Sequence, residues 1–142
     1  MKEFDDFLKS GEVRRQEKNE ILAEALIKSS EKSLRNIRRT KIDGLNAESI
    51  ISDIYDIMRE LIEAKLAFGG YKSYSHEATI LFLKKFPTFN EYEMNFLDNL
   101  RKIRNGIKYY GKEANVESAL KTLNFMNSVL PKLKSLVKDA EK

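Results

Sequence analysis

Cysteine is absent from this chain. That excludes a disulfide framework and any metal centre built on thiolates, and it fits a reducing compartment. Only 2 prolines and 6 glycines occur in 142 residues, so long stretches can run uninterrupted as helix. The only histidine is His76. One imidazole without cysteine argues against a metal site, and neither a metal nor a cofactor is expected. No apolar run approaches the ~20 residues that span a bilayer. The opening Met1-Lys2-Glu3-Phe4-Asp5-Asp6 lacks the apolar core of a secretory signal. The expected location is cytoplasmic, away from membranes. No Walker loop, Rossmann glycine pattern or zinc-protease helix motif occurs, and Gly69-Gly70 is too sparse for a phosphate loop. No segment shows strand alternation, and there is no repeat, low-complexity tract or interdomain linker.

What remains is a balance of 42% apolar and 34% charged residues, the composition of a soluble globular domain long enough to bury a core. Twenty-six Lys and Arg against 22 Asp and Glu leave a net charge of +4, which permits an anionic partner without demanding one. The periodicity predicts one domain over residues 1–142, an all-α antiparallel up-and-down bundle of four or five helices. It has an N-terminal arm at 1–12 and a basic tail at 137–142 that frays. Phe4 to Leu8 forms a short helical turn, punctuated by Ser10-Gly11. A long helix from Val13 to Arg39 presents Leu22, Leu26, Ser29, Ser33 and Ile37 on one face. Asp43-Gly44 turns the chain, and Asn46 caps a second helix over Ala47–Phe68. Gly69-Gly70 ends it, as expected for a left-handed cap. Tyr71 to Tyr74 reads as a loop. Ser75 caps a third, short helix that Pro87 stops. Thr88 or Asn90 opens the fourth, where Phe89, Tyr92, Phe96, Leu100, Ile103 and Ile107 make the cleanest amphipathic stripe in the chain. Asn115 caps the last helix, with Leu120, Leu123, Met126 or Asn127, and Leu130 inward. Pro131 should kink or restart it.

Two charge patterns stand out. Asp53, Asp56, Glu60 and Glu63 form a stripe opposite the apolar arc of the second helix. A solvated face is the expected reading; docking against a basic surface is the alternative. Asp and Glu pairs there could bind Mg²⁺ in principle, but a second ligand set is lacking. Between Arg101 and Lys112 lie five positive residues, Arg101, Lys102, Arg104, Lys108 and Lys112, with no acid among them. Tyr109 and Tyr110 interleave with them. Arg104 falls beside the apolar stripe, where a guanidinium would be held in place, and its planar fork matches a phosphate. On composition alone a solvated helix end favoured by the C-terminal dipole accounts for the cluster.

The stretch Leu100-Arg101-Lys102-Ile103-Arg104-Asn105-Gly106-Ile107-Lys108-Tyr109-Tyr110-Gly111, placed late and before the final helix, resembles the HEPN family of small helical bundles. Their hallmark is an arginine, often followed by a polar residue, with a histidine four to six residues on. The upstream stretches Glu63 to Ala67, Gly69-Gly70-Tyr71 and Ser75-His76-Glu77-Ala78 look similar too, so the resemblance spans about residues 13 to 136. It implies that Arg104 and Asn105 contact a ligand, joined by Arg101, Lys108, Tyr110 and Lys112 in binding RNA or a nucleotide. It also implies a homodimer with two motifs lining one cleft, and a nucleotidyltransferase partner as in toxin–antitoxin modules.

Family members with the intact pair resemble metal-independent endoribonucleases. Here Tyr109 stands where they have histidine. A phenol near pKa ~10 is poorly poised as a general base compared with an imidazole near ~6.5, although it can hydrogen-bond a phosphate or stack on a base. On a straight helix five residues turn about 140°, so Arg104 and Tyr109 converge only if the helix distorts, with Gly106 the plausible place. Three functions follow. The foremost is an RNA- or nucleotide-binding protein with weak or lost nuclease activity. The others are an active endoribonuclease using Arg104 and Tyr109, and a non-catalytic interaction module. His76 reads as a helix-start residue that could carry protons only if the fold brings it to Arg104.

Overall fold

Four helix starts are secured by side chains that reach otherwise unpaired backbone amides. Asn19 Oδ1 accepts from the Leu22 N–H (3.0 Å), Ser75 Oγ from Ala78 (3.2 Å), Asn90 Oδ1 from Glu93 (2.8 Å) and Asn115 Oδ1 from Ser118 (2.9 Å). The structure, a computed structural model, describes the backbone of residues 2–141 and the side chains of residues 2–138. Within them lie α1 (Phe4–Ser10), β1 (Val13–Arg15), α2 (Glu20–Arg39), α3 (Ala47–Gly69), β2 (Tyr71–Ser73), α4 (His76–Leu81) with a 3-10 turn at Phe82–Lys85, α5 (Glu91–Tyr110) and α6 (Val116–Glu141). The fold is all-α apart from two three-residue strands. Among the described residues no helix is long and apolar enough to cross a membrane.

Helix α3 is the hub. Ile50, Ile51, Ile54, Ile57, Met58 and Ile62 are all buried, because other elements cover this helix on several sides. Helix α2 runs antiparallel to it: the Asn19 N–H at the start of α2 donates to the Ala67 carbonyl near the end of α3 (3.0 Å). Helix α5 is antiparallel as well. Glu48 accepts from the Ala114 N–H just past the end of α5, and Asp56, two turns on, meets Arg104. Helix α6 instead runs parallel to α3. Ile51 shares a cleft with Ser118 and Thr122, and Ile57 and Leu61 share another with Leu130 and Val137. The expected up-and-down bundle is therefore built around one central helix.

Several local expectations are corrected. Val13–Arg15 does not start the long helix. It pairs antiparallel with Tyr71–Ser73, Val13 opposite Ser73 and Arg15 opposite Tyr71, so the segment expected as a loop is a strand. Strands this short carry no readable alternation, and their pairing joins residues far apart in sequence. Arg14 and Arg15 lie over the Tyr74 and Tyr71 rings, at 5.4 and 5.3 Å. The N-terminal segment is not a free arm: Phe4 and Phe7 are buried, with Phe4 against Phe82 and Tyr71. On α2 the inward positions are Ala23, Ser30 and Ile37, spaced by sevens, so Ser30 replaces Ser29 and Ser33 on the deepest line; its hydroxyl donates to the Ile27 carbonyl (2.8 Å). Asn46 closes its own loop rather than capping with its side chain. Its Oδ1 accepts from the Asp43 N–H and its Nδ2 donates to the Lys41 carbonyl.

Helix α5 is rotated from expectation. Met94, Leu97, Leu100 and Arg104 face inward, while Tyr92 and Ile103 are exposed. Two polar residues share that inward side because each finds a partner. Glu93, 7% exposed, receives Lys132 Nζ at 2.8 Å and bonds the Asn90 N–H at the helix start. These donors outweigh its burial and hold its carboxyl below the usual range. On α6 the buried line is Ala119, Met126, Val129, Leu130 and Leu133, and Leu120 is exposed. Helix α6 continues through Pro131 rather than kinking into a new helix, and the missing N–H leaves the Asn127 carbonyl without its usual helical partner. Leu136 and Val137 are buried, so the expected tail begins inside the core; its side chains from 139 on lie outside the described residues.

Candidate functional site

The seam between α3 and α5 concentrates the polar groups that the core does not absorb. On α3, Asp56, Arg59 and Glu63 stand three and four residues apart, which places them on one helix face. Arg59 bridges the two carboxylates, with Nη2 3.3 Å from Asp56 Oδ1 and Nη1 2.9 Å from Glu63 Oε2. The acidic stripe is thus not simply solvated. Asp53 is exposed, but Asp56 and Glu63 are tied to Arg59, and Glu60 has a buried Oε2 with no partner. The basic surface that Asp56 meets belongs to the same chain.

That surface is Arg104. Its side chain lies across the seam, 5% exposed. The guanidinium carbon sits 5.8 Å from the centroid of the Tyr55 ring, and Nη2 reaches Asp56 Oδ1 at 3.5 Å. This contact is long for a charge-assisted hydrogen bond, which is ordinarily ~2.7–2.9 Å. Nε and Nη1 are buried and have no hydrogen-bond partner among the described residues. A buried guanidinium with two open donors is costly unless something accepts from it. Tyr55 is 1% exposed, its hydroxyl also lacks a partner, and burial raises its pKa well above that of an ordinary phenol.

His76 joins this group from the start of α4. Its ring centroid is 6.1 Å from that of Tyr55, so the imidazole and the Arg104 guanidinium each lie about 6 Å from the Tyr55 ring. The local fold holds it there. Ser75 caps α4, and the Thr79 hydroxyl donates to the Ser75 carbonyl and lies 3.0 Å from Ser73 Oγ. Burial, then the Arg59 and Arg104 cations, depress the His76 pKa below its ordinary 6.5 against the smaller pull of Glu63 and Asp56. These influences favour the uncharged imidazole.

The residues singled out from sequence divide into two sets. Arg104 is inside the seam and Asn105 is half-buried beside it. Arg101 is turned to Asp98, with Nη2–Oδ1 at 2.9 Å, and Lys102 approaches the same carboxylate. Lys108, Tyr109, Tyr110 and Lys112 are exposed at the far end of α5. Lys108 lies over the Tyr109 ring at 5.7 Å. The Lys112 stem covers Gly106, where an added Cβ would come within 3.0 Å of it. Helix α5 stays helical through Tyr110 and closes only afterwards, with the Gly111 and Lys112 amides donating to the Gly106 carbonyl. Arg104 is therefore buried while Tyr109 is 64% exposed, and within one chain they do not share a site. Sequence reasoning missed Tyr55 and Asp56 as members of the site. The only available signal for Tyr55 was a phenol set among the isoleucines of an apolar helix. Among the described residues no three His, Asp or Glu side chains converge to hold a metal ion. Comparison with known proteins finds no family model and no curated protein that matches this chain.

Proposed function

We propose that this chain is a HEPN-like RNA- or nucleotide-binding protein that works as a homodimer, with weak or lost nuclease activity. The observation that carries the reading is Arg104, a buried guanidinium with Nε and Nη1 open and only one long contact to Asp56. Phosphate oxygens are the acceptors that suit such a fork. Asp56 acts in this reading as an internal stand-in for the ligand. The exposed Lys108, Tyr109, Tyr110 and Lys112 beyond it supply the two elements of single-strand binding, cations for the backbone and rings for base stacking. A toxin–antitoxin setting with a nucleotidyltransferase partner belongs to the same proposal.

Binding of labelled single-stranded RNA in EDTA, followed across salt concentrations, tests it. Arg104→Ala is expected to weaken binding about tenfold, as loss of charged hydrogen bonds does, and to reduce the salt slope by ~0.7. Asp56→Asn, which removes the competing anion, is expected to tighten binding. Unchanged binding in both variants, with thermal stability reduced, would show Arg104 to be a purely internal group and end the reading.

The dimer is supported by the stripe that the fold leaves uncovered. Tyr92 and Ile103 are 68 and 50% exposed, and both lie beside Phe96, which stacks on Phe125 at 3.9 Å. An apolar face of this kind is a candidate for contact with another copy. Sedimentation at micromolar concentration is expected to show a dimer that Ile103→Glu weakens at least tenfold. A monomer at all concentrations contradicts it.

A further inference from the structure

We propose that the trough between α2 and α6 binds a medium-chain carboxylate, with the alkyl chain on the apolar floor and the head group at Lys134 and Lys138. No residue of α5 lines this trough, so the inference stands apart from the Arg104 reading.

Helices α2 and α6 both pack on α3 and not closely on one another. Running in opposite directions on either side of the hub, they leave a cavity of about 250 Å³. Its floor is Ile57, Leu61, Leu130 and Val137, each at most 5% exposed. Ile27, Glu31 and Leu34 follow steps of four and three on α2, so they turn to the same side and form one wall. Ser30 lies deepest among them and leaves the space unfilled by protein. It is 2% exposed, and its hydroxyl already donates to the Ile27 carbonyl at 2.8 Å. A leucine in its place would reach into the trough.

The charged groups lie at the mouth. Lys134 and Lys138 are one turn apart on α6 and exposed, an arrangement in which the stems cover apolar surface and the ammonium groups reach solvent. Lys121 and Lys132 of the same helix pair with Glu117 and Glu93, whereas Lys134 and Lys138 join no ion pair among the described residues. Glu31 lines the opposite side and pairs with neither lysine. The mouth therefore stays open, with two cations against one anion. An apolar cavity with a few convergent polar groups is the usual form of a small-molecule site, and this polarity selects a carboxylate over an ammonium. Scaled from a cavity of ~150 Å³ that accepts benzene, the volume suits roughly ten carbon atoms.

Calorimetric titration of the full chain with straight-chain carboxylates from hexanoate to tetradecanoate tests the proposal. Affinity is expected to rise roughly fourfold for each methylene added and to level off near decanoate, when the trough is full. Replacing both Lys134→Gln and Lys138→Gln is expected to weaken decanoate binding about fivefold without changing the binding of octan-1-ol. Glu31→Gln is expected to tighten it about twofold. Leu34→Trp, which fills the trough from its half-buried wall, is expected to abolish binding, and Arg104→Ala to leave it unchanged. No carboxylate binding at millimolar concentration overturns the proposal, as does a flat chain-length profile or equally tight binding of the matching alkylamines. Binding confined to phosphatidylglycerol vesicles would assign the lysines to a lipid surface and overturn it too. Affinity that falls as the protein is concentrated would give the trough to a second copy of the chain, with the same consequence.

Discussion

Ile62→Ala is expected to lower stability by about 3 kcal/mol and the melting temperature by roughly 10 °C. Ile62 is 0% exposed and lies between Met58 and Leu66 on the inward side of α3, both of which are also buried. The substitution deletes three carbons from a position enclosed by helices packed on several sides, so the neighbours cannot collapse fully into the space. The cost then combines lost transfer energy with a cavity term. Thermal and urea unfolding measure it, and the urea m-value should stay the same because the surface exposed on unfolding hardly changes. A loss below about 1 kcal/mol would mean that the surroundings relax, and α3 would not be the rigid hub described above. The consequence reaches the site, because Tyr55, Asp56, Arg59 and Glu63 are all displayed from this one helix.

Gly70→Ala is expected to cost about 2–3 kcal/mol, whereas Gly69→Ala, one residue earlier, is expected to be neutral or slightly stabilising. Gly70 has φ +83°, in the left-handed region. A Cβ there would lie 2.8 Å from the Gln16 carbonyl oxygen, an atom of the backbone that cannot swing aside. The same two residues are joined by the Gln16 N–H donating to the Gly70 carbonyl at 2.9 Å, so relieving the clash would pull the β1 connection away from α3. At Gly69 the nearest atoms to a Cβ belong to the Tyr71 ring at 3.6 Å, an ordinary contact, and alanine favours the helix it ends. Melting temperatures of the two variants decide the matter. Equal values would remove the close approach of these two backbones as a determinant of the fold. Since Gly70 aims the chain into β2 and on to His76, its variant should also loosen the imidazole from Tyr55.

Much of the helical layout was legible residue by residue. The starts at Ser75 and Asn115, one of the two starts offered at Asn90, the left-handed stop within Gly69-Gly70 and the break at Pro87 all appear where the sequence places them. The burial faces were less legible. In α5, an apolar stripe through Tyr92, Phe96, Leu100 and Ile103 lies next to another through Met94, Leu97, Leu100 and Arg104. Periodicity measures the repeat and cannot choose between neighbouring stripes. The choice went to the stripe carrying Glu93 and Arg104 because Lys132 and Asp56, distant in sequence, neutralise them. The resemblance pointed to Arg104 and Asn105 from a local pattern, and it pointed to Tyr109 as well, which the unbroken end of α5 sends outward.

By itself, then, the sequence determined most helix boundaries, the start of α2 excepted, since caps, glycine stops and proline breaks act within a turn or two of their own position. Only the tertiary structure decided that Val13–Arg15 pairs with Tyr71–Ser73, that α6 runs parallel to α3, and that Asp56, Tyr55, His76 and Arg104 share one seam. These contacts join segments tens of residues apart, and their free energy arises when surfaces from different helices meet and exclude water, which no local run of residues encodes.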